Sequence, residues 1–131
     1  MSKIIVKDLA GPASSSNKIL IVGMIPCGSY KVSGSASTAA RIDAGLFRGD
    51  SGGTQLSHCE NGFTYTPSSA TATYSISGNY CMAYLDSPST TSAQTYTVCY
   101  KSIAAGWGAY MQWALSGTDA MTTMTALEIE G

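Results

Sequence analysis

Arg41-Ile42-Asp43-Ala44-Gly45-Leu46-Phe47-Arg48-Gly49-Asp50-Ser51-Gly52-Gly53-Thr54-Gln55-Leu56 decides the fold. Over Arg41 to Arg48, Ile42, Ala44 and Leu46 fall on one side of an extended chain and Asp43, Gly45 and Phe47 on the other. That period of two is what a half-buried strand requires. Five glycine-rich residues, Gly49 to Gly53, interrupt the alternation, and a second semi-apolar run starts at Leu56. Two such runs around a Gly-Asp turn read as a β-hairpin.

The same pattern repeats on both sides. Lys18 to Ile25 is β-branched and apolar, and Gly28 to Ser37 is a strand with a bulge or a loop. Phe63 and Tyr65 share a face after an Asn61-Gly62 turn signal, and Thr71 to Ser77 alternates before Gly78-Asn79. Tyr80 to Leu85 is ended by Asp86-Ser87-Pro88, where proline removes a ladder donor. Thr95 to Lys101 alternates Tyr96, Val98 and Tyr100 with Thr95, Thr97 and Cys99. Ala109 to Ala114 and Thr123 to Ile129 complete the series. No stretch holds a helical apolar period over ten residues, so eight or nine short strands predict an all-β sandwich or barrel. A single jelly-roll-like sandwich of about eight strands fits the size. Residues 18–131 form that domain. Residues 1–17 read as a short extended N-terminal arm, because Gly11-Pro12-Ala13-Ser14-Ser15-Ser16-Asn17 breaks any regular element.

Composition narrows the function. The 131 residues carry only 11% charged side chains, against about a quarter in ordinary globular chains, and serine plus threonine make up about a quarter. The net charge of -1, with lysines and arginines scattered, leaves no footprint for nucleic acid. The longest apolar run, Ile19 to Ile25, is too short to span a bilayer. Met1 to Val6 is followed at once by Lys7 and Asp8, so no secretory leader is expected and synthesis in a cytoplasm is. Cys27, Cys59, Cys81 and Cys99 lack zinc-ligand spacing and read as free, buried thiols.

Gly49-Asp50-Ser51-Gly52-Gly53 also spells the active-site serine segment of chymotrypsin-like proteases. Those enzymes order their triad histidine, aspartate, serine, and the one histidine here, His58, follows Ser51. Arg48-Gly49-Asp50 spells an integrin-binding tripeptide, but Gly-Asp is what a turn selects. The carboxylates Asp43, Asp50, Glu60, Asp86, Asp119, Glu128 and Glu130 are spread singly, without a glycosidase pair. The expectation is a protein that is not an enzyme and holds no metal or cofactor.

Four segments, in order, resemble one family. Residues 84–98, Tyr84-Leu85-Asp86-Ser87-Pro88 through Thr95-Tyr96-Thr97-Val98, resemble the Y-L-D-S-P-x-T-T-S-x-x-T-Y-x-V segment of small jelly-roll domains in the virion proteins of tailed phages, marine phages and cyanophages among them. Asn17 to Ile21 is similar to the family's opening strand, Arg41 to Asp50 to its hairpin, and Met121 to Ile129 to its closing strand. The resemblance implies a homotrimer on the virion surface. Its partners are then the major capsid or tail proteins, as a capsid decoration or cement protein. The alternative is a receptor-binding tail-fibre or head-fibre tip that contacts a host surface glycan or protein. Two residue sets follow. Ile4, Ile5, Val6 and Leu9 are the apolar residues of an arm that anchors the domain to the particle. Tyr84, Tyr96, Tyr100 and Trp113 are the candidate trimer-interface aromatics.

Overall fold

A computed structural model describes residues 2–9, 11–31, 38–66, 74–102, 107–111 and 121–131. Its elements are eight strands: β1 (Ser2–Leu9), β2 (Lys18–Lys31), β3 (Thr38–Arg48), β4 (Thr54–Thr66), β5 (Tyr74–Asp86), β6 (Gln94–Ser102), β7 (Trp107–Met111) and β8 (Thr123–Ile129). They form two antiparallel sheets packed face to face, the expected sandwich. One sheet, called A, runs β1-β6-β3-β4. The other, called B, runs β5-β2 with β7 and β8 sharing the far side of β2. β8 pairs with Lys18–Met24 of β2 and β7 with Cys27–Lys31. No described helix is long and apolar enough to cross a membrane.

The core is the set of inward positions that the alternation selects. Ile19, Ile21, Ile25 and Cys27 of β2 and Tyr80 and Met82 of β5 meet Ile42, Ala44 and Leu46 of β3 and Tyr96 and Val98 of β6. Each fully buried Ile, Leu or Val side chain contributes about 1.5–3 kcal/mol of transfer free energy.

Three stretches that carry turn signals are strand interiors. Asn61 and Gly62 lie inside β4, paired with Ile42 and Arg41, with a register shift between Ala40 and Arg41. Gly78 and Asn79 lie inside β5, paired with Cys27 and Pro26. Pro26 sits inside the long central strand, which proline normally disrupts. It is tolerated because β8 pairing stops at Met24 and β7 pairing starts at Cys27, so Pro26 occupies the gap between them.

The N-terminal segment is extended, but it is not detached. β1 pairs antiparallel with β6, from Ser2↔Tyr100 to Leu9↔Gln94, and forms one edge of sheet A. The connection onward is held as well. Pro12 is buried, and a side chain at Gly11 would collide with the Thr91 carbonyl. Ala13 N–H and Asn17 Nδ2 both donate to Glu128 Oε1, at 2.6 and 2.7 Å. The boundary drawn between an arm and a domain therefore divides a single sheet.

Candidate functional site

The glycine-rich turn is a structural device. Gly49 has φ of 90°, in the left-handed region that favours glycine. Gly53 N–H donates to Asp50 O at 2.9 Å, and Gly52 N–H donates to Asp50 Oδ1 at 2.9 Å. Thr97 Oγ1 donates to Gly49 O at 2.6 Å, which ties the turn to β6. Ser51 is exposed, and His58 is engaged elsewhere, on Asp43.

Beside the turn, the two sheets are joined by a polar network. Arg48 Nη1 lies 3.2 Å from both oxygens of Asp86, and Tyr96 Oη donates to Asp86 Oδ2 at 2.8 Å. Asp86 and Tyr96 are buried. Burial, and then the bond to the Asp86 carboxylate, raise the Tyr96 phenol well above its ordinary value. Ser57 and Tyr80 make a second cross-sheet hydrogen bond at 3.2 Å. Burial raises the Tyr80 phenol too.

The polar network places Tyr96, one of the candidate interface aromatics, inside the sandwich. Tyr96 is wholly enclosed between the sheets, and Tyr84 and Tyr100 are half-buried and packed against the core. They share the inward parity of β5 and β6. Trp113 lies outside the described residues.

The outer face of sheet B carries exposed apolar side chains. Outward positions on β2 are Lys18, Leu20, Val22, Met24, Pro26, Gly28 and Tyr30. Leu20 is flanked by Leu85 and Leu127, Val22 by Ala83 and Thr125, and Met24 by Cys81 and Thr123. Leu127, Leu85, Met24 and Ile129 are 49, 47, 43 and 40% exposed, values no core position approaches. At the far end Tyr30 stacks on Tyr110 with ring centroids 4.9 Å apart. The hydrogen bond to Tyr30 pushes the Tyr110 phenol up to about 12. Between Lys18 and Lys31, β2 carries no charged residue. The apolar part runs from Leu20 to Met24, and beyond it Pro26, Gly28 and Tyr30 pair with Asn79, Ser77 and Ser75 of β5.

Sequence reasoning passed over this face, although the signal was present. A strand buried on one face alternates, whereas Lys18–Ile25 is apolar at nearly every position, the mark of a strand covered on both. β8 misleads in the opposite way. Met124 and Ala126 pack against the core, while Leu127 and Ile129 point out.

Sheet A carries a polar cleft on its outer face, lined by Asp43, Gly45, Phe47, Gln55, His58, Cys99, Tyr100 and Lys101, with a volume of about 120 Å³. The register explains the grouping, since His58 and Cys99 flank Gly45 and Lys101 faces Asp43. His58 Nε2 contacts Asp43 Oδ1, and Lys101 Nζ lies 3.2 Å from Asp43 Oδ2. None of the four cysteines is in a disulfide. Cys27 and Cys99 are buried and Cys59 is half-buried, but Cys81 is exposed on the sheet B face, which corrects the expectation that all four are buried. Burial raises the Cys27 thiol. Among the described residues no three His, Cys, Asp or Glu side chains converge as a metal site. No protein-family model and no curated protein matches the sequence.

Proposed function

We propose that this protein is a non-enzymatic structural subunit of a phage particle, a trimeric capsid decoration or cement protein assembled through the outer face of sheet B. The observation that carries the assembly reading is that face, apolar from Leu20 to Met24 with Leu85 and Leu127 beside it, and with Lys18 as the charged residue at its end. A face this poor in charge meets other copies of the chain with little like-charge repulsion, and homomeric interfaces are enriched in apolar and aromatic side chains. The threefold stoichiometry and the virion come from the family resemblance. Ile4, Ile5, Val6 and Leu9 keep a role in attachment in a different form. They belong to β1, the edge strand of sheet A, and an open edge accepts a strand from a capsid or tail protein.

Light scattering on the purified chain tests the assembly. Three copies of 13.6 kDa give about 41 kDa. Leu85→Asp and Leu127→Asp place a charge on the outer face without touching the core, and each yields monomer. Cys81 reports the same event, reacting slowly with a maleimide in the assembly and quickly in either variant. A wild-type monomer at micromolar concentration overturns the proposal. Antibody against the chain labels the head of purified particles for a decoration protein and the tail tip for a receptor-binding tip, and particles without label exclude both.

A further inference from the structure

The cleft on sheet A has no part in that assembly, because it lies on the opposite side of the sandwich. We propose that it is a carbohydrate-binding site for one neutral sugar ring, with Phe47 as the stacking surface and Asp43, Gln55, His58 and Lys101 as the hydroxyl-reading groups. Its shape limits the ligand first. About 120 Å³ is well below the roughly 300–1,000 Å³ of a pocket that engulfs a small molecule, so an exposed ring or chain end fits and a buried cofactor does not.

The chemistry of the lining selects the class. The Phe47 ring lies over Gly45, with its Cε2 3.0 Å from where a glycine Cβ would stand. An aromatic ring presents a negative face to the weakly positive C–H groups of a pyranose. Around it stand groups that handle hydroxyls, which both donate and accept. Each Asp43 oxygen is already oriented by a donor, His58 on one and Lys101 on the other, and each keeps lone pairs for a sugar O–H. Lys101 and the exposed Gln55 amide supply donors for the sugar oxygens.

Charge disfavours the competitors. Asp43 and Lys101 offset one another inside the cleft. An anionic ligand meets the Asp43 carboxylate, and a cationic ligand meets the Lys101 ammonium. A neutral polyhydroxyl ring meets neither repulsion. The preorganisation is also cheap to maintain, because the polar groups are held by cross-strand pairs of three adjacent strands rather than by loops.

The test is an amide-resolved NMR titration of the full chain with the methyl glycosides of glucose, galactose, mannose and N-acetylglucosamine, with inorganic phosphate and acetate in parallel. At least one glycoside gives saturable millimolar shifts at Gly45, Phe47, Gln55 and His58, and the anions give none there. Gln55→Ala, at an exposed position on an edge strand, weakens binding about tenfold while its spectrum elsewhere superposes on wild type. Phe47→Leu abolishes it. The proposal is overturned if no glycoside titrates these amides, if phosphate or acetate does so instead, or if Gln55→Ala binds like wild type.

Discussion

Replacing Arg48 with Met removes the cation from a carboxylate that water hardly reaches. The Asp86 side chain is 5% exposed and that of Arg48 is 26%. Breaking a buried pair by deleting one partner costs about 3–5 kcal/mol. The partial exposure of Arg48 lets water replace some of the lost stabilisation, and Tyr96 still donates to Asp86, so the expected cost is about 2–3 kcal/mol. With a urea m-value of about 1–3 kcal/mol/M, that lowers the unfolding midpoint by roughly 0.7–3 M. The assay is urea unfolding followed by circular dichroism, at one fixed protomer concentration because association adds to stability. The double variant Arg48→Met with Asp86→Asn removes both charges but leaves Tyr96 an acceptor. It recovers about 1–2 kcal/mol relative to Arg48→Met alone, the signature of coupling within one network. A loss under about 0.5 kcal/mol for Arg48→Met, or strict additivity in the double variant, refutes the view that this pair staples the sheets.

Other outcomes follow from the same geometry. Gly49→Ala forces a Cβ into a left-handed backbone and lowers stability by about 1 kcal/mol in the same urea assay, whereas Ser51→Ala stays within about 0.5 kcal/mol and wild-type Ser51 does not react with a fluorophosphonate. Deleting residues 1–9 bares the β6 edge, so the truncated chain unfolds at lower urea and scatters light on standing. Alkali destabilises the fold. An unfolded tyrosine ionises near pH 10, while Tyr96 and Tyr80 hold their protons to higher pH in the folded state. Above pH 10 the unfolded chain thus binds fewer protons, and stability falls by about 1.4 kcal/mol per pH unit for each such group. Tyr96→Phe flattens that slope, and an unchanged slope contradicts the assignment.

The sandwich was legible wherever inward and outward residues differ in kind. Ile42, Ala44 and Leu46 against Asp43, Gly45 and Phe47 is such a case, and so is the turn at Gly49–Gly53. Legibility failed where a local signal was overruled by a distant partner. Asn61-Gly62 and Gly78-Asn79 favour turns only if the chain folds back there, and here both dipeptides are paired within strands, Asn61-Gly62 beside a register shift. The cleft was hidden for a related reason. Asp43, His58 and Lys101 are far apart in sequence and meet only through the β4-β3-β6 order. Tyr96 was placed at an interface because tyrosine suits an interface and a core equally well. Only strand parity and the Asp86 bond show that Tyr96 faces inward.

The pairing of β2 with β8 sets a schedule. Lys18 faces Ile129, about 110 residues later in the chain. A ribosome adding about 5–20 residues per second needs roughly 5–20 s to pass from the end of β2 to β8. Throughout that interval the most apolar strand of the protein has an incomplete neighbourhood, and closing so distant a contact is slow in its own right. Leu127 and Ile129 arrive with the same late strand. The apolar outer face of sheet B is thus complete only after nearly all of the sandwich has been made.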